Sequence, residues 1–356
     1  MFLHNIQFKR EVTCRLGLKE LELVIPPIVG YQYVAYPLCT ALARQEALPW
    51  FYSNFIHLYC HQDLEGERAS RSVPLTFYGE DFMRCPWLIT QKLEREFVMD
   101  SQPGVVEFLV NSINSGYTVS LYVDEFYIPR RRVYRQMHYA HDILVYGYDD
   151  GKRVFFVLGY DEEMQFRKTL VPFHEMEQGF RHLEWTDRYE EQIYLYKFNK
   201  TGSYSLDPVF IKESLEQYLS GCDVSRRHRA TADPLDLAFG VNVYPALIRN
   251  MPALVRKRDI RPIHILWEHK KTMGMRIDYL CGRELLPQAF TGCFRPIEER
   301  AFALRHMLMK YALTGDDAIL DQGINEITSL MDNEKQTLEA VAEALEHRIA
   351  PQPSVT

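Results

Sequence analysis

The chain has no long apolar run, no cysteines paired at ligand spacing, no surplus of basic residues and no internal repeat. Each lack closes off a class of function. Without some twenty consecutive apolar residues, no membrane-spanning helix is expected. The start, "MFLHNIQFKREVTCRL", carries charge within ten residues and is not read as a secretory signal. Seven cysteines (Cys14, Cys39, Cys60, Cys85, Cys222, Cys281 and Cys293) are scattered without a C-x-x-C pair, which fits neither a disulfide framework nor a zinc ribbon. A reducing, cytoplasmic setting is expected. The net charge of -7 argues against nucleic acid as the main partner, because counterion-release binding needs a dominant positive face. What remains is an ordinary globular composition, with 47% hydrophobic and 25% charged residues over 356 positions, enough for two domains or one large one.

Periodicity divides the chain. "DSQPGVVEFLVNSINSG" predicts a helix, with Asp100 or Ser101 as cap, Pro103 in the first turn, Val106, Leu109 and Ile113 on one face and Gly116 as the stop. In "YTVSLYVDEFYIP", Val119, Leu121 and Val123 alternate with Thr118, Ser120 and Tyr122 as a half-buried strand requires. "HDILVYGYDDGKRVFFVLGYDEE" predicts a hairpin turning at Asp150-Gly151, and "RHLEWTDRYEEQIYLYKFN" a further extended segment. "WFYSNFIHLYCHQD" (50 to 63) is expected to continue a helix opened at Cys39. Beyond about residue 205, apolar residues recur at three-and-four spacing, as in "RPIHILWEHKKTMGMRIDYLCG" and "NEKQTLEAVAEALEHRI". The expected class is α+β. A first domain (1–202) packs helices on an antiparallel sheet, a helical region (203–350) follows, and 351–356 form a tail. The boundary falls in "KTGSYSL".

One set of residues could carry chemistry. A cysteine at a helix start, near an imidazole, has its thiol pKa lowered towards the nucleophilic thiolate. In "VAYPLCTALARQEAL", Cys39 follows Pro37 and precedes a run of good helix formers, so it is expected at such a start. His141 opens the first hairpin strand and Asp161 closes the second, giving an imidazole and an acid to fix its tautomer. Gln32, seven residues before Cys39, could donate to a developing oxyanion. With a two-residue turn, His141 would pair with Tyr160 and Asp161 would face the other way; a bulge or longer loop repairs this. Asp124 is the substitute orienting acid. The cysteine and histidine also have plainer readings, Cys39 as a buried core thiol and His141 as a histidine capping a strand at the surface, and Gln32 alone carries almost no information. Cys60 between His57 and His61 is read as packing, and no metal site is expected.

The order Gln32, Cys39, His141, Asp161 is that of papain-like cysteine enzymes. "YPLCTAL" followed by "GYTVSLYVDEFYIPRRRVYRQMHYAHDILVYGYDDGKRVFFVLGYDEEMQF" resembles the N-terminal domain of the butirosin biosynthesis protein H family, found near nonribosomal peptide and polyketide genes. The resemblance spans roughly residues 25 to 200. It implies a papain-like fold used for synthesis: an acyl group passes from a carrier protein's phosphopantetheine thioester to the cysteine, then to an amine acceptor. On that likeness Cys39 is the nucleophile, His141 the base and Asp161 its acidic partner, with no permanently bound cofactor. Arg130, Arg131, Arg132 and Arg135, on the loop before His141, are expected to dock an acidic carrier protein. The alternatives are a cysteine hydrolase using the same residues and a noncatalytic carrier-binding protein. The helical region would serve as lid, acceptor wall or homodimer interface.

Overall fold

The computed structural model describes residues 17–63, 74–79, 81–99, 104–184, 191–228 and 236–349. The expected caps Asp100, Ser101 and Pro103, together with Cys14 and the tail 351–356, lie outside them. The strands are β1 (Leu18–Glu20), β2 (Leu58–His61), β3 (Leu75–Phe77), β4 (Leu88–Glu94), β5 (Thr118–Asp124), β6 (Ala140–Asp149), β7 (Val154–Tyr160), β8 (Phe166–Pro172), β9 (Gln192–Phe198) and β10 (Leu237–Phe239). The helices are α1 (Gln32–Ala41), α2 (Leu48–Ser53), α3 (Arg95–Met99), α4 (Val105–Asn114), α5 (Phe173–Arg181), α6 (Pro208–Ser220), α7 (Val243–Arg256), α8 (Arg261–Gly282), α9 (Arg295–Thr314) and α10 (Asp317–Ile349). The class is mixed α+β. Two compact units form, one of Met1–Glu22 with Thr90–Lys197, the other of Leu23–Ile89 with Phe198–Thr356. This partition is not linear: residues 23–89 group with the helical region, and the chain crosses between units at 22, 89 and 197.

The first unit is built on a seven-stranded sheet in the order β4-β9-β5-β6-β7-β8, with β1 pairing beside the far half of β6. The alternation read in 118–124 is β5: Val119, Leu121 and Val123 are fully buried and pack with Ile143, Val145, Leu109, Ile113, Met176 and Phe180 into one core. Helix α4 follows its N-cap residue Gly104 and stops before Gly116, whose φ of 86° suits glycine. Gly147 has a different reason to be glycine. Strand β1 passes so close that a Cβ there would lie 2.6 Å from the Lys19 carbonyl oxygen.

The second unit holds the antiparallel sheet β10-β2-β3 and helices α1, α2 and α6 to α10. The aromatic stretch 50–63, expected as one helix, is split: α2 ends at Ser53, Phe55 takes a positive φ of 57°, and β2 begins at Leu58. Arg276 of α8 supplies the reason. Its guanidinium, fully buried, donates to the carbonyls of Tyr52 (2.8 Å), Asn54 (2.5 Å) and Phe55 (3.2 Å), acceptors that a continuing helix would have used itself. At the centre of this unit Lys270 donates to both oxygens of Glu334 at 2.6 and 2.8 Å and to His269 Nδ1 at 3.0 Å. Tyr218 and Tyr244 donate to the same carboxylate. All five side chains are fully buried.

Candidate functional site

Helix α1 carries both Gln32 and Cys39. It starts at Gln32, where the Tyr31 carbonyl accepts from Val34 and Ala35 at 3.1 and 3.0 Å. The expectation of a start at Cys39 is corrected: Cys39 lies in the last turn. Pro37 does not break the helix, because its fixed φ suits the α conformation and only the bond to the Tyr33 carbonyl is lost. The positive end of the helix is therefore two turns away from Cys39, and the helix dipole gives a thiolate there no support. Gln32 and Cys39, seven residues apart, share a face of the helix. Both side chains are buried, Cys39 fully.

Ahead of α1, the loop is held by the buried Glu268 and a chain of partly buried polar groups behind it. Glu268 Oε1 accepts from the Val29 and Gly30 amides at 2.7 and 3.0 Å and meets His264 Nε2 at 3.2 Å. Arg305 in turn donates to His264 Nδ1 at 2.9 Å. A Cβ on Gly30 would lie 2.6 Å from Ile265 Cδ1, so only glycine lets the loop sit this close to α8.

In the sheet unit, His141 is the second residue of β6 and its side chain is 35% exposed. The hairpin turn is four residues, 150 to 153, closed by the Asp149↔Val154 pair, and Arg153 takes the left-handed φ of 56° in place of Gly151. A bulge at Tyr146 then shifts the register from Gly147↔Phe156 to Val145↔Val157. The ladder between β6 and β7 runs to Leu144↔Leu158 and stops short of His141. The two-residue turn expected from the sequence would have set His141 level with Tyr160. His141 Nδ1 lies 3.3 Å from Asp142 Oδ1, 3.3 Å from the Asp142 carbonyl oxygen and 4.0 Å from Glu125 Oε1. Acids on the Nδ1 side favour a hydrogen there, which makes Nε2 the basic nitrogen. Burial raises the Glu125 carboxyl above its ordinary range, against the pull of His141 and Arg131.

Asp161 is almost fully buried and its carboxylate serves its own turn. Oδ1 accepts from the Glu163 and Gln165 amides at 3.0 Å each, and Oδ2 meets Arg167 Nε at 2.9 Å. Burial pushes its pKa up, but those amides and the nearby Arg167 and Arg130 outweigh burial and hold it below the usual carboxylate value. Asp124, the substitute orienting acid, faces away from His141: the register pairs His141 with Val123 and Asp124 with Ala140. Its carboxylate instead sits 2.5 Å from His138 Nδ1 and accepts from the Phe126 and Tyr139 amides at 3.0 and 3.1 Å. Sequence reasoning missed His138. The available signal was its place just before β6, opposite the end of β5, where an acid closing one strand meets a residue entering the next.

The arginines expected to form a docking patch are mostly engaged. Arg130 pairs with Glu162 at 2.8 Å and Arg135 with Glu175 at 3.0 Å. Arg131 is buried against Glu125 at 3.6 Å, which removes it from any docking surface. Arg132 is exposed. In the helical unit, Cys60 is a core thiol on β2, pushed up to about 12 by burial. Among the described residues no cluster of three metal-ligating side chains occurs, and no helix is long and apolar enough to cross a membrane. No protein-family model matches the chain, and no curated protein matches it.

Proposed function

We propose that the chain is a cysteine-dependent acyltransferase that forms amide bonds, a papain-like relative of butirosin biosynthesis protein H. The observation that supports the reading is the set of carboxylates at His141 Nδ1, Asp142 at 3.3 Å and Glu125 at 4.0 Å, the surroundings an imidazole of this class requires. Cys39 attacks a carrier-bound phosphopantetheine thioester, with Gln32 on the same helix face as oxyanion donor. The carrier thiol leaves, an acyl-enzyme remains, and an amine takes the acyl group. Thioester exchange is nearly isoenergetic and amide formation is downhill, so neither step needs ATP.

Intact-protein mass after exposure to an acyl-pantetheine thioester tests the reading. A single acyl adduct is expected on the wild-type chain, lost in C39S and formed at least about 100-fold more slowly in H141N. Added primary amine should discharge it as amide. Free acid with and without amine would make the chain a hydrolase; no adduct on Cys39 would overturn the cysteine mechanism.

A further inference from the structure

Helix α9 carries a seam that its own unit leaves open. Its buried face, Ile297, Ala301, Leu304 and Leu308, packs beside α8 and α10. On the opposite side Phe302, His306, Met309 and Leu313 follow at steps of four, three and four, the spacing of a coiled-coil seam, and all four are exposed, Leu313 by 84%. We propose that this seam joins two copies of the chain, α9 lying antiparallel on α9 of the second copy with a two-fold axis at His306. The proposal stands apart from the acyl-transfer reading.

The seam is continuous and mostly apolar. The Phe302 ring meets Trp267 of α8 at 5.2 Å on one side and packs edge-on against the His306 ring at 4.3 Å on the other. His306 Nδ1 donates to the Phe302 carbonyl at 2.9 Å, which ties that nitrogen into its own helix. Ala303, exposed beside Phe302, is small enough for a second helix to approach closely. From Glu299 to Leu313 the exposed ridge runs about 21 Å, roughly four turns.

Charge commits the seam to a second copy and to a direction. Glu299 lies one turn before Phe302, and Lys310 one turn before Leu313; both are exposed, and among the described residues neither has an ion-pair partner. Their neighbours do: Arg300 meets Glu326 at 2.6 Å, and Arg305 donates to His264 at 2.9 Å. Turned antiparallel about His306, Glu299 of each copy falls opposite Leu313 of the other, one turn from its Lys310, so the two stray charges answer each other twice. A parallel pair would set Glu299 on Glu299 and Lys310 on Lys310, like on like. A partner surface of a single charge would satisfy one end of the seam and repel the other. A contact of this length is small for a permanent complex, so the dimer should exchange with monomer at micromolar concentrations.

Sedimentation velocity of the full chain, from about 1 to about 200 μM, tests the proposal. Wild type is expected to pass from monomer to dimer across that range. L313E and M309E should stay monomeric throughout, whereas L170E, at a leucine 53% exposed in the sheet unit, should dimerise as wild type does. E299K and K310E should each weaken the dimer at least about 5-fold at low salt. E299K/K310E, which restores opposite charges across an antiparallel pair and not a parallel one, should return to within about 2-fold of wild type. Thermal midpoints of the variants, all at exposed positions, check that each is folded. A wild-type chain that stays monomeric at the top of the range overturns the proposal, whatever else the face binds. So does a dimer that L313E and M309E leave intact, or one that L170E abolishes as well. A double variant no tighter than either single one overturns the antiparallel seam.

Discussion

The two units bury charge in opposite ways. In the helical unit Lys270, Glu334, His269, Tyr218 and Tyr244 answer one another with no side chain reaching solvent. Burial lowers the Lys270 ammonium and, with the adjacent Lys270 charge, holds His269 neutral, while both tyrosine hydroxyls are driven far above their usual range. In the sheet unit two buried acids have partners that reach water: Asp124 holds His138, 67% exposed, and Asp161 holds Arg167, 43% exposed. A closed network has every proton and lone pair committed, so it fixes packing and does no chemistry. A buried acid with an exposed partner orients a group that a substrate can still reach. The sheet unit therefore leaves the partners of these two acids open to solvent, while in the helical unit ionic pairing has become structure.

Three substitutions break or sharpen this contrast. K270M should have the largest effect, because it leaves Glu334 buried without its cation: about 3–5 kcal/mol by urea denaturation, largely recovered in K270M/E334L. If the double variant is as unstable as the single, the network is not a self-contained pair. E268Q should come next, at about 2 kcal/mol, since glutamine keeps one oxygen for the Val29 amide and His264 but puts an NH2 donor where Oε2 accepts from the Gly30 amide. A loss equal to that of K270M would erase the ranking of the closed network above other buried acids. D161N should cost least, about 1 kcal/mol or below, because Asn retains an oxygen for the Glu163 and Gln165 amides and Arg167 is half in water. The sign of its pH effect follows from the lowered folded pKa. The charge stabilises above the unfolded value near about 4 and that contribution fades as pH falls through the folded value. Thermal melts of D161N across that window should be flatter than those of wild type; parallel curves would mean Asp161 carries no linked charge.

Much of the architecture was legible because it follows local periodicity. Strand β5 announced itself through Val119, Leu121 and Val123, helix α4 through Val106, Leu109 and Ile113, and the helical region through three-and-four spacing. What escaped depended on distant partners. Nothing local in "SNFIHLYCH" shows that an arginine more than two hundred residues on takes its carbonyls and turns helix into strand. Pro37 was read as a helix boundary because a proline rule is local, whereas nine of the ten residues of α1 are buried and packing overrides the rule. The pairing of Asp124 with His138 was hidden for the same reason: strand alternation indicates which face an acid takes, but the loop that returns to it has no period to read.

The extra residue in β6 acts as an address. The inserted Tyr146 shifts Val145 and Leu144 by one place, to sit opposite Val157 and Leu158, from where a regular ladder continued from Gly147↔Phe156 would put them. Lengthening the tip at 150–153 leaves that assignment alone. A one-residue insertion or deletion in either strand past the bulge would instead turn the core-facing Val145 and Val157 out of register with each other.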